Sequence, residues 1–211
     1  MNLILFQPLR RWYLPDWIGA READRGFNWS FYDSIKRGAI TLHLSGFPDL
    51  DEPLPELAGS ADFFGVNYYR RNLVRFSPGA PGLVELDQGP GPRSDTDIEV
   101  YPDGLLALLR RVWDRYRLPI IITENGVADS TDRLRPAYLR SHVYAMAQAI
   151  REGIPVQGYF HWSLLDNFEW NEGFGPRFGL YRVDYATQAR VPGAGAAEFR
   201  RLVALSAAAA P

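Results

Sequence analysis

Alternation of short apolar runs with amphipathic segments predicts an α/β protein built on a parallel sheet, in about four βα units. Two observations carry this: four runs have strand length and composition, and the stretches between and after them repeat apolar side chains at helical spacing. The first run, residues 3–6, is Leu-Ile-Leu-Phe. A short helix follows over residues 29–37 and stops at Gly38, a residue free to take the left-handed cap conformation. The second strand, residues 63–67, leads to a helix over residues 103–116 with Leu105, Leu109, Val112, Trp113 and Tyr116 on one face. The third strand, 120–123, precedes a helix over 138–152 with Leu139, Val143, Met146 and Ile150 aligned. The fourth strand, 156–162, and a closing helix, 194–205, complete the series. Residues 45–60 and 76–94, rich in Pro, Gly and acids, read as surface loops and not as linkers, so residues 1–211 form a single domain. There is no internal repeat, and only residues 207–210, at a frayed end, are of low complexity.

Composition narrows the function classes. A net charge of −2 argues against a nucleic-acid partner, whose phosphates call for a basic patch; Arg10-Arg11, Arg70-Arg71, Arg110-Arg111 and Arg200-Arg201 are isolated pairs of the kind found on solvated faces or in local ion pairs. No run is long enough to span a membrane, and no basic segment precedes the brief apolar run at residues 3–6, so neither a membrane partner nor a signal peptide is expected and a cytoplasmic location is the default. With no cysteine, disulfides and Cys-based zinc sites are excluded. His43, His142 and His161 have no ligand spacing, so no metal is expected; His161 reads as a packed, hydrogen-bonded residue. Asn28-Trp29-Ser30 fits the glycosylation pattern by chance, at a helix start.

The chemistry-bearing stretch is Ile122-Thr123-Glu124-Asn125-Gly126, where an apolar run delivers a carboxylate to the junction of strand and loop. In α/β sheets and barrels that junction holds catalytic groups, because the strand fixes the side chain and the loop opens it to substrate. Alone, a Glu before Asn-Gly is an ordinary turn residue. Two further segments change its weight: Asp62-Phe63-Phe64-Gly65-Val66-Asn67-Tyr68-Tyr69 upstream, and Gly158-Tyr159-Phe160-His161-Trp162 running on to Asp166-Asn167-Phe168-Glu169-Trp170, with Phe174-Gly175-Pro176-Arg177-Phe178-Gly179 beyond. Rings for the C–H faces of a sugar and amides or carboxylates for its hydroxyls are what carbohydrate recognition needs. Asp166 reads as a loop-holding acceptor and not as a catalytic acid, and Asn171-Glu172 falls on the loop after the last strand, too far round for the second carboxyl of a retaining pair, which stands about 5–5.5 Å from the first.

In this order the three segments resemble glycoside hydrolase family 1, the retaining β-glucosidases and β-galactosidases, from about Phe27 to about Arg201 and less closely back to Leu3. The resemblance implies the C-terminal half of a TIM (β/α)8 barrel, strands 5–8, since family members are about twice this length. It implies Glu124 as catalytic nucleophile and Tyr69 as the phenol that hydrogen-bonds it. Asn67 lines the same floor, Trp162 is the platform under the sugar, Glu169 and Trp170 bind its far hydroxyls, and Phe178 is an aromatic wall. Asp97-Ile98 before Glu99-Val100-Tyr101-Pro102 departs from the family's Gly-Trp and alters the entrance wall. The family's acid/base Glu, which follows an Asn after the fourth strand, and the Gln, His and Trp of the first half have no counterpart here. The complete reaction would be double displacement without a cofactor, on β-linked unphosphorylated glucosides, galactosides or fucosides, with no choice among them.

Two functions therefore compete. One is the C-terminal half of a β-glycosidase, inactive alone; the other is a non-catalytic half-barrel that binds carbohydrate or acts as a scaffold. Cut barrel edges and the inner faces expected of Phe64, Val66, Ile121 and Phe160 call for a homo-oligomer or a complementing N-terminal half as partner.

Overall fold

The computed structural model describes residues 2–42 and 48–208. His43 and residues 45–47 of the first expected loop lie outside the described residues, as do residues 209–210 of the expected frayed end. In chain order the elements are β1 (Asn2–Pro8), α1 (Leu14–Asp24), α2 (Ser30–Arg37), β2 (Ala39–Leu42), β3 (Leu50–Pro53), β4 (Phe64–Phe76), β5 (Val84–Asp87), α3 (Pro102–Tyr116), β6 (Ile120–Asn125), α4 (Arg135–Arg151), β7 (Val156–His161), β8 (Tyr181–Val183), β9 (Arg190–Pro192) and α5 (Ala194–Ala208). A five-residue π-helical turn, Arg25–Trp29, joins α1 to α2.

The sheet is open. Its parallel strands run β1-β4-β6-β7, and β5 folds back antiparallel on the far end of β4. Helices cover one face, because parallel strands joined by crossovers need an apolar layer to pack on. Phe64, Val66 and Tyr68 of β4 and Ile120 and Ile122 of β6 are buried there against Leu105, Leu108, Leu109 and Val112 of α3. The expected inner-face set is corrected accordingly. Register pairs Phe64 with Ile120 and Gly65 with Ile121, so Phe64 and Val66 point into the helix layer while Ile121 takes the opposite face. Phe160 is exposed as expected.

The four expected strands are present; β4 is much longer than residues 63–67, because alternation continues through Leu73 and Val74. Both expected loops hold short strands, β3 against β2 and β5 against β4. α1 was not expected. Its buried positions are Asp16, Ala20 and Asp24, whereas Leu14, Trp17 and Ile18 are exposed, so it lacks the apolar stripe that identifies a helix in sequence. Asp16 anchors it instead, accepting from the Arg10 guanidinium at 2.7 Å and from the backbone N–H of Phe76 at 2.8 Å. Asn28 is fully buried and exchanges hydrogen bonds with the Ile4 backbone at 2.7 and 3.0 Å, which closes it to modification. On α4 the buried stripe is Tyr138, Leu139, His142, Ala145 and Ala149, rotated from the expected one; Ile150 is exposed.

Candidate functional site

The C-terminal ends of β6 and β7 and the first half of the long strand β4 converge on one patch of the face away from the helices. Asn67 and Tyr69 on β4 and Glu124 on β6 meet there through adjacent parallel strands, with Asn67 in register with Glu124. The Tyr69 hydroxyl donates to Glu124 Oε2 at 2.7 Å, and the Thr123 hydroxyl donates to Asn67 Oδ1 at 2.5 Å. Successive residues of a regular strand point to opposite faces, yet Thr123 and Glu124 both contact this one. Register moves from Val66 opposite Ile122 to Asn67 opposite Glu124, leaving Thr123 as the extra residue of a β-bulge. Such a bulge re-aims a side chain without ending the strand.

β7 delivers the next group. Trp162, just past its end, donates its backbone N–H to Asn125 O at 3.0 Å and its indole Nε1–H to Glu169 Oε1 at 3.1 Å. Gly126 makes this approach possible: a Cβ there would stand 1.8 Å from the Trp162 carbonyl oxygen. The Phe178 ring meets Tyr69 edge-on at 6.3 Å, held by a hydrogen bond from Ser163 N–H to its carbonyl. Trp170 is the outlier among the expected residues. It opens a 3-10 turn, Trp170–Glu172, with its side chain 81% exposed, standing apart from the packed group. Glu172 on the same turn is exposed.

Electrostatics follow from burial. Burial pushes the Tyr69 phenol well above its ordinary range, and its hydrogen bond to Glu124 pushes it further, so it stays a donor. Burial likewise raises the Glu169 carboxyl, opposed by the hydrogen bond from Trp162 and aided by the charges of Glu124 and Asp166. Asp166 is a structural acceptor, as expected: it takes hydrogen bonds from Gly179 N–H at 2.9 Å, Val183 N–H at 3.1 Å and Arg177 Nη1 at 3.1 Å, pinning the loop that carries Phe178.

Sequence reasoning missed Thr123 and the buried amide of Asn125, whose roles depend on the bulge and have no local signature. It expected His161 to be hydrogen-bonded. The His161 ring is packed close under α5 with both nitrogens buried, Phe199 6.2 Å away and the Phe178 and Asn125 backbone beside it, but neither nitrogen makes a hydrogen bond of full geometry. Among the described residues there is no cluster of three or more His, Cys, Asp or Glu able to hold a metal, and no helix is long and apolar enough to cross a membrane.

Comparison with known proteins places this geometry. The chain is 42% identical over 176 residues to a beta-galactosidase of Sulfolobus acidocaldarius, covering 79% of this chain and 35% of that protein. It is 41% identical over 150 residues to beta-glucosidase A of Thermotoga maritima, covering 66% and 34% respectively. A solved family 1 b-glucosidase from Thermotoga maritima superposes with a TM-score of 0.84 at 32% identity, over 96% of this chain and 49% of that one. The chain thus spans between about a third and a half of these relatives, and its open parallel sheet is half of a TIM barrel. With the glycosyl hydrolase family 1 model matched over residues 32–205, the chain belongs to glycosyl hydrolase family 1.

Proposed function

We propose that this chain is the C-terminal half, strands 5–8, of a retaining β-glycosidase, with Glu124 as nucleophile. The observation that carries the reading is the carboxylate of Glu124, at the C-terminal end of β6, held by the Tyr69 hydroxyl of the paired strand β4, in a chain of this family. Glu124 attacks the anomeric carbon and forms a glycosyl-enzyme as the leaving oxygen takes a proton from a general acid; water then breaks that ester with the same acid acting as base. Tyr69 fixes the aim of Glu124. Trp162 supplies the platform under the sugar, Asn67 the floor, and Phe178 the wall. Glu169 and Trp170 serve as acceptor and donor for the far hydroxyls, Trp170 from an exposed position on its turn. No cofactor enters this chemistry.

The general acid belongs to the half of the barrel that this chain does not span, so we infer that the chain is inactive alone. Partnership follows from the fold. Among the described residues β1 and β7 each pair on one side only, and an apolar groove of about 250 Å³ lies beside β7, lined in part by Val143, Met146, Ile150, Tyr159, Phe199 and Leu202. Unpaired edges beside apolar surface favour association, here with a complementing N-terminal half or with further copies of the chain. Sedimentation tests this: an oligomer, or a stable complex with a family N-terminal half, is expected, and a compact monomer at micromolar concentration that ignores the added half would contradict it.

A further inference from the structure

The bulge that aims Glu124 needs something to hold it, and the residue beside it is built for that. Asn125 is fully buried, on the face opposite Glu124. Its amide Nδ2 donates to the Tyr68 carbonyl oxygen at 2.6 Å and to Tyr138 Oη at 2.7 Å, and its Oδ1 accepts from Tyr159 Oη at 2.8 Å. One side chain is therefore tied to β4, α4 and β7 at once, while its main-chain carbonyl accepts from Trp162 N–H. The anchors are themselves fixed: Tyr68 is fully buried and donates to Tyr101 O at 2.6 Å, and Tyr138 is stacked on His142 with centroids 3.8 Å apart.

Asn is the side chain that satisfies this set. Two donors and one acceptor are required at fixed directions in a dry site, where an unmade hydrogen bond costs its full desolvation. Asp would set an acceptor against the Tyr68 carbonyl, and Ala would leave three polar groups unpartnered. Resting on the reading of Glu124 as nucleophile, we propose that Asn125 is a positioning residue: by clamping the bulge from the helix side, it sets the direction in which the Glu124 carboxylate is presented to the anomeric carbon.

The test uses the chain assembled with an N-terminal half of a family 1 barrel, and an aryl 2-deoxy-2-fluoro-β-glucoside that traps the glycosyl-enzyme and counts active sites. Asn125→Ala should lower kcat per titrated site by about 100-fold, the loss expected for a displacement near 1 Å, with KM changed less than about 3-fold. The rate of glycosyl-enzyme formation should fall in parallel. Tyr159→Phe, which keeps the ring and removes one of the three bonds, should lower kcat by about 3–10-fold with KM likewise held. A structural role alone would reduce the number of titratable sites and leave kcat per site unchanged in both variants; that result overturns the proposal. Should Asn125→Ala fail to fold, Tyr159→Phe decides alone. Full activity of Glu124→Gln in the same assembly would instead sink the reading of Glu124, a distinct outcome.

Discussion

Tyr69 and Glu124 sit on neighbouring parallel strands and share a 2.7 Å hydrogen bond, although register sets Glu124 opposite Asn67 and not opposite Tyr69. The phenol reaches the carboxylate because both side chains lie on the face away from the helices, Tyr69 two residues beyond Asn67 along β4. A hydrogen bond to a charged group contributes about 1.5–3 kcal/mol. In the assembled enzyme, Tyr69→Phe should therefore lower kcat/KM by roughly 10–150-fold, measured with an aryl β-glucoside. A change of less than 2-fold would remove Tyr69 from the mechanism.

In the proposed site Glu169 governs substrate choice. Its carboxylate, bound to the Trp162 indole, suits two neutral hydroxyls and repels a phosphate dianion. With a family N-terminal half restored, kcat/KM for cellobiose should exceed that for its 6-phospho counterpart, and Glu169→Gln should narrow the gap. A preference for the phosphorylated sugar would refute this role.

Stability should depend on the Arg71–Glu99 pair. Arg71 meets both carboxylate oxygens of Glu99 at 2.8 and 3.0 Å, and the Glu99 side chain is 1% exposed. Arg71→Met leaves a buried charge with only the Gly89 and Gly91 N–H groups as donors of its carboxylate bonds. A loss of about 3–5 kcal/mol is expected in urea unfolding. A loss below about 1 kcal/mol would show that the pair is effectively solvated.

Acid should weaken the fold before the carboxylates titrate. Burial pushes His142 down to about 4, and burial with the nearby Arg135 charge pushes His161 down to about 3. Unfolded histidines bind protons near pH 6.5, so below that pH the unfolded chain holds more protons than the folded one and stability falls as pH falls. Between pH 7 and pH 5 the loss should reach up to about 2 kcal/mol for each histidine. Asp16, Asp33 and Asp129, all held low, add to the loss only as the pH falls below about 5. Urea midpoints at the two pH values measure the loss, and His142→Gln should reduce it; equal midpoints in the unmodified chain would contradict this account.

The strands were legible because each is an apolar run bounded by turn residues, and the residues gathered at the candidate site because rings, amides and carboxylates cluster at the ends of those runs. α1 was hidden by its polar buried face, where Asp16 and Asp24 do the work of apolar side chains. The buried stripe of α4 was hidden because Tyr138 and His142 are buried while Ile150 is not, a choice made by packing on Asn125 of β6 and Tyr68 of β4. Side-chain direction on β4 follows from register, which no single strand carries: Phe64 and Val66 read equally well toward either face. The bulge at Thr123 is invisible for the same reason, and with it the work of Asn125.

The most direct measurement is cellobiose hydrolysis by the pure chain, with and without an N-terminal half of a family 1 barrel. General acid–base assistance contributes about 10²–10⁴-fold, and the missing sugar contacts add to that deficit. The chain alone should therefore show no meaningful turnover, and the mixture should gain activity that Glu124→Gln abolishes. Enzyme-like turnover by the chain alone, lost in Glu124→Gln, would contradict the claim that this is half of an active site.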